Sequence, residues 1–198
     1  MTTYSFPAII PNSSALNLVS NTKVMTSPFS GSTQTASRSG TRWHLQMVFK
    51  NLSGANRRTL QGFMAQMDGQ GHRMSVYDHS HSYGGTGNGS PLVNGASQTG
   101  NSVITDGWAN SEIVMLQGDE FGLGGELKMC TADVTSDGAG NATISFVPEI
   151  HTAPATNSAI TISNPTGIFM LLAPENGWTN VPGVFSDMTI DVIEDVLA

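Results

Sequence analysis

Only residues 53–67 carry apolar side chains at helical spacing; almost everywhere else, short alternating segments are cut by glycine, proline, asparagine or serine. That punctuation constrains the fold more than any other feature. A chain turned so often cannot build a helical bundle and must bury its hydrophobes on short strands. The exception is clear: Leu60, Phe63, Met64 and Met67 fall at i, i+3, i+4 and i+7, one face of an amphipathic helix. Ser53 stands at the N-cap position and Asp68-Gly69 supplies the stop.

Several strands can be read directly. Trp43, Leu45, Met47 and Phe49 alternate with Arg42, His44, Gln46 and Val48, which predicts a half-buried strand over 42–49. Trp43, Phe49 and Phe63 are the expected N-terminal core. Arg73 to Tyr77 reads as a short strand. Further strands are expected at 112–116, 126–132, 142–147, 160–162 and 168–172, the last uniformly apolar and so centrally buried. Ser136-Asp137-Gly138-Ala139-Gly140-Asn141 predicts a hairpin, with Pro148 ending the strand that follows it. Met188, Ile190, Val192 and Val196 form a last strand or short helix.

Two regions resist this reading. Residues 1–41, with Pro7, Pro11 and Pro28, have no sustained period and are expected to form an extended arm with short strands. From His79 to Thr105 there is no charged residue, and six glycines fall between Gly84 and Gly100. That stretch reads as a long loop on the surface, ordered against another subunit; its removal is expected to spare folding. The expected fold is therefore mainly β with one α-helix: antiparallel β-sandwich or barrel modules with an extended N-terminal arm. The expected divisions are 1–41 (arm), 42–105 (strand-helix-strand unit with the 79–105 loop) and 106–198 (β-barrel or sandwich module).

Charge is scarce, at 12% of residues, which suits a subunit that meets neighbours over much of its surface. It is also segregated. Residues 1–67 hold Lys23, Arg38, Arg42, Lys50, Arg57 and Arg58 and no Asp or Glu, whereas 129–198 hold eight acids and no Lys or Arg. The thin spread of the bases and the net charge of -7 argue against direct nucleic-acid binding. Two readings remain open: the two ends pack on each other, or opposite charges order a head-to-tail contact between copies. Arg57 and Arg58 do not help the dipole of their helix, and are read as solvated or facing a partner.

No constellation specifies catalysis. His79-Ser80-His81 is the one tempting metal pair, but it lacks a third well-held ligand, and no metal or cofactor is expected. The Gly84–Gly89 run has no following GK[ST]. Asp119-Glu120 would point to opposite faces of a strand, and Asp133, Asp137 and Asn141 lack EF-hand spacing. Cys130 is the single cysteine and reads as a small buried hydrophobe. The residues from Met1 to Pro7 show no basic n-region, Pro7 and Pro11 interrupt the apolar run, and no stretch is apolar enough for a membrane span, which predicts synthesis in a cytoplasm.

The run Ser27 to Thr35, then Gly40-Thr41-Arg42-Trp43, then the strand-helix unit to Gly69, resembles small virion proteins of tailed bacteriophages. In these an arm and a Trp-bearing strand precede a helix and another strand. Gly118-Asp119-Glu120-Phe121 to Leu127, Thr131-Ala132-Asp133, the 136–144 turn and Pro148 look like the small β-barrel modules of phage tail and head proteins, with Gly167-Ile168-Phe169 and Trp178 continuing the likeness. The resemblance implies a non-enzymatic virion protein, with a distal-tail or tail-tip ring as the best-fitting role, and a homo-oligomer meeting other tail proteins. A head decoration or connector subunit is an alternative, as is a carbohydrate-binding β-sandwich using Trp108 and Trp178. The expected subunit contacts are Pro28, Phe29, Arg57, Arg58, His79, His81 and Tyr83.

Overall fold

The computed structural model describes residues 1–175, 177–181 and 185–196. In chain order its elements begin with β1 (Thr3–Ser5), β2 (Ser13–Val19), β3 (Thr22–Thr26), β4 (Thr33–Ser37), β5 (Arg42–Leu52), α1 (Gly54–Gln66) and β6 (Arg73–Tyr77). They continue with β7 (Gly89–Val93), β8 (Gly100–Trp108), β9 (Ile113–Met115), β10 (Glu120–Leu123), β11 (Glu126–Cys130) and β12 (Val134–Thr135). The last are β13 (Ala142–Ile150), β14 (Ile160–Thr161), β15 (Thr166–Leu171), β16 (Thr179–Val181) and β17 (Phe185–Glu194). The fold is mainly β with one helix.

A seven-stranded sheet runs β1-β6-β15-β17-β5-β2, with β16 also paired to β17. All its pairings are antiparallel except β1 with β6. The alternation in β5 does what the sequence predicts: Trp43, Leu45, Met47 and Phe49 point into one core, where they meet Leu60, Phe63, Met64 and Met67 of α1. Ser53 occupies the N-cap in extended geometry but makes no side-chain capping bond. At the other end Asp68 and Gly69 take positive φ values of 46° and 59°. A Cβ on Gly69 would stand 2.7 Å from the Pro174 carbonyl oxygen, so the stop needs glycine for space as well as conformation.

The second sheet runs β14-β10-β11-β13-β8-β7 and nearly closes into a six-stranded antiparallel barrel. Its ends meet through the Leu92–Ala159 bridge, and the Val93 and Asn157 amides donate to the Ser158 and Val93 carbonyls at 2.9 and 2.8 Å. A core of its own fills it, centred on Val103, Trp108, Phe121, Ile144 and Phe146.

Several expectations need correction. The N-terminal 41 residues are not one arm: β1 and β2 pair into the large sheet, and only the β3–β4 hairpin stands outside both sheets. Residues 79–105 are not a loop on the surface, because they supply β7 and most of β8. The turn at 136–141 forms, but β12 on its near side pairs with β9 while β13 pairs with β11 and β8. Asp137 holds that turn by accepting from the Ala139 and Asn141 amides, both at 2.8 Å. Pro148 does not end its strand; β13 runs on to Ile150 across a shift in register. The uniformly apolar 168–172 segment lies in β15, between two neighbours as expected, yet Ile168 and Met170 stay partly exposed on its outer face.

Candidate functional site

The seven expected contact residues separate into three places. Pro28 and Phe29 form the tip of the β3–β4 hairpin, and Phe29 is 99% exposed. Both hairpin strands lie outside the two cores. Val24 and Met25 are 60% and 50% exposed, so three sizeable hydrophobes stand in water on an element with no sheet beneath it. The hairpin's base is fixed: the Arg38 amide donates to the Asn21 carbonyl at 3.0 Å and the Asn21 side-chain amide to the Ser39 carbonyl at 2.8 Å.

Arg57 and Arg58 sit on the outer side of α1, half-buried and exposed respectively. Neither has an ion-pair partner among the described residues, and the same holds for Lys23, Arg38, Arg42 and Lys50. The two ends of the chain do pack, through β5 on β17. No ion pair among the described residues, however, joins these six cations to the acids of 129–198.

His79, His81 and Tyr83 are elsewhere again, each partly buried. They run along the seam between the large sheet and the barrel. His79 stacks on Tyr77 with ring centroids 4.1 Å apart. His81 Nε2 accepts from the Glu120 amide at 3.2 Å, and the Tyr83 hydroxyl donates to the Val114 carbonyl at 2.6 Å. Burial pushes both imidazoles below their ordinary pKa, with Asp78 opposing it at each and Asp119 also at His81. Burial, with Asp119 nearby, pushes the Tyr83 phenol up. His81 and Tyr83 thus bond within the chain, while both ring nitrogens of His79 lack a hydrogen-bond partner among the described residues.

Asp119 organises that seam, though in the sequence it reads as no more than a turn residue. Its carboxylate accepts from the amides of Gly84 at 2.7 Å, Gly85 at 3.0 Å and Leu116 at 2.8 Å. Gly85 is required because a Cβ there would lie 2.3 Å from the Val114 carbonyl oxygen. The glycines of 79–105 thus include one that lets two backbones touch. Beside Asp119, Glu120 is buried, and burial together with Asp78 raises its carboxyl to about 8.

A second buried cluster welds the units. Lys128, fully buried, donates to Glu126 Oε2 and to the Glu149 carbonyl, both at 2.6 Å. Burial pushes the Glu126 carboxyl up, but Lys128 and the Thr152 and His151 amides hold it below the ordinary carboxylate range. Glu194 accepts from the amides of Leu127 at 2.9 Å and Trp43 at 3.2 Å, and the Trp43 indole donates to the Leu127 carbonyl at 2.9 Å. Burial raises Glu194 to about 7 against those bonds.

The described residues contain no group of three or more side chains placed to hold a metal. No described helix is long and apolar enough to cross a membrane. Cys130 is buried in β11, its thiol pushed up to about 12 by burial and by Asp119. Trp108 cannot serve as a sugar platform: it is 4% exposed and its indole donates to Thr105 Oγ1 at 2.8 Å. Trp178 is 38% exposed. A cleft of about 610 Å³ lies by the hairpin's base and is lined by Asn21, Arg42, Thr99, Glu149 and His151 among others.

The class these features define is a helix-backed β-sheet welded to a nearly closed β-barrel, with one hairpin left outside. No protein-family model matches the sequence, and no curated protein is significantly similar to it.

Proposed function

We propose that this chain is a non-enzymatic structural subunit of a bacteriophage virion, most specifically a ring-forming distal-tail or tail-tip protein that joins the tail tube to the adsorption apparatus. The observation that carries the assembly part of this reading is the β3–β4 hairpin. An isolated two-stranded hairpin is marginal in water, and exposed apolar side chains clustered on one element mark interaction surfaces. Val24, Met25 and Phe29 on a hairpin with a hydrogen-bonded base form an element built for a partner. The cations of the first third, without ion-pair partners among the described residues, and the acids of the last third favour a head-to-tail order in which unlike surfaces meet. The virion assignment itself rests on the resemblance of the arm, Trp-bearing strand and barrel segments.

The test is the mass of the purified full chain by light scattering at low and high salt. A closed oligomer that dissociates as salt rises supports the reading, since exposed charge pairs are screened over about 8–10 Å at moderate ionic strength. A monomer at both salt levels and at high protein concentration removes the ring. Antibody labelling of particles then reads the position: label at the tail tip supports the distal-tail role, and label on the capsid transfers the protein to the head.

A further inference from the structure

Among the described strands, β2 has the longest free edge. It pairs only with β5 and ends the seven-stranded sheet. Natural edges are blunted by charge, proline, a bulge or shortness, because an open edge invites another strand. Residues 13–19, Ser-Ser-Ala-Leu-Asn-Leu-Val, contain no charge and no proline, and their pairing to β5 runs without a shift in register. The opposite edge of the sheet is β1, only three residues long. The barrel's ends are bridged to each other. Of the edges of these two sheets among the described residues, β2 offers the longest without a strand partner; one side chain on it, Ser14, donates from its hydroxyl to Asp78 at 3.1 Å.

The open edge also carries apolar surface: Leu18 and Val19 are each 42% exposed. The hairpin has the matching features. The outer side of β3 has no partner, since that strand pairs with β4 alone, and it presents Val24 and Met25. The charges match as well. Lys23 and Arg38 lie in or beside the hairpin strands, and none of residues 1–67 is acidic. Asp191 and Asp187 lie on β17, one strand beyond β5, with Asp191 in register with Gln46 and Gln46 with Ala15 of β2. Two strand spacings put the Asp191 carboxylate about 10 Å from the free edge, within reach of a long basic side chain on an added strand, while Asp187 lies past the end of β2, beside Asn51.

We propose that the β3 strand of one copy adds to the free edge of β2 in the next copy, extending the seven-stranded sheet across the subunit boundary. Donor and acceptor are then different surfaces of one chain, so the contact is heterologous and propagates head to tail until it closes. Main-chain bonds along β2 supply most of the attraction. Leu18 and Val19 on one copy and Val24 and Met25 on the other lose water, and the Asp191 carboxylate of β17 sets the direction.

This inference rests on the ring reading, and a mixing experiment separates the two. A donor-less variant replaces residues 22–37 with a short Gly-Ser link between Asn21 and Arg38, whose backbones are already hydrogen-bonded. An acceptor-less variant carries Asn17→Lys with Val19→Lys, both exposed positions on β2. Wild type should be a closed oligomer, and each variant alone a monomer of about the 20.8 kDa chain mass. Mixed one to one, they should form a dimer of about twice that mass, because each retains what the other lacks. If wild type assembles and the donor-less variant still assembles, β3 is not the donor; an isologous β2–β2 dimer would behave this way. If wild type assembles and the mixture stays monomeric, the pairing is wrong while the ring stands. A wild type that stays monomeric throughout overturns the ring and this contact together.

Discussion

Residues 22–37 and residues 79–88 are both rich in glycine, serine and threonine, and both lie between regular strands, yet the molecule uses them in opposite ways. The second threads the seam: Gly84 and Gly85 donate to Asp119, Thr86 and Gly87 donate to the Ile113 and Val114 carbonyls at 3.2 and 3.1 Å, and Tyr83 closes over them. The first has a regular five-residue ladder from Thr22–Ser37 to Thr26–Thr33, yet its side chains touch neither core. Secondary structure and integration are thus separable. The irregular segment is held by the fold, whereas the regular hairpin contributes no residue to either core.

Deletion probes that contrast most strongly. Removing residues 79–105 takes out β7 and most of β8 and should abolish cooperative thermal unfolding. Replacing 22–37 should leave the melting temperature within about 3 °C of wild type. Circular dichroism melts of the two deletants decide it; an 79–105 deletant with a sharp transition would dissolve the distinction.

Single charges should follow the same division. Lys128→Ala strands Glu126 in the interior and should cost about 3–5 kcal/mol in urea unfolding, while Lys23→Ala on the hairpin should stay within about 0.5 kcal/mol. Asp119→Ala leaves three amides of the seam without their carboxylate and should cost about 3 kcal/mol. Equal effects of Lys128→Ala and Lys23→Ala would show the weld to be ornamental.

The seam should also respond to pH, and the hairpin should not. Glu120 and Glu194 keep their protons when folded, with pKa values of about 8 and about 7, at pH values where the unfolded carboxyls, near 4.5, have lost them. The folded chain then binds more protons, so stability falls as pH rises from about 4.5 to 8. Glu126, held low, acts in the other direction: its contribution is present above about 4.5 and is lost as the pH falls through its lower folded value. Glu120→Gln should flatten the alkaline loss by about 1–2 kcal/mol between pH 5 and 9; unfolding curves with the same slope for variant and wild type would contradict this. The smallest effect is on stability at the tip: Phe29→Ser should leave unfolding unchanged within about 0.5 kcal/mol while weakening assembly in light scattering.

Where one face of an element is buried, the sequence is readable. Alternation in β5 and the i, i+3, i+4 spacing of α1 gave both elements and their core residues, because each buries a single face. β7 and β8 escaped because their buried positions, Val93, Val103, Thr105 and Trp108, lie among Ser, Asn and Gly that also spell a loop. Glu126, Lys128 and Glu194 escaped for another reason: they look like ordinary surface charges, and although Glu126 and Lys128 pair within β11, the Glu149, His151 and Thr152 backbone groups that complete them lie 21 to 26 residues away, and those that satisfy Glu194 as much as 151. The exposed tip at Phe29 is legible as two apolar residues in a polar turn, while nothing local to His79, His81 and Tyr83 announces the Asp119 hub beside them.

Amide hydrogen exchange on the assembled and the salt-dissociated protein tests the central claim most directly. The account predicts that the Gly84 and Gly85 amides are protected in both states, whereas the amides of β2 and β3 exchange quickly in the free subunit and become protected only on assembly. Protection of β3 already complete in the free subunit, or no gain of protection on assembly, would contradict it.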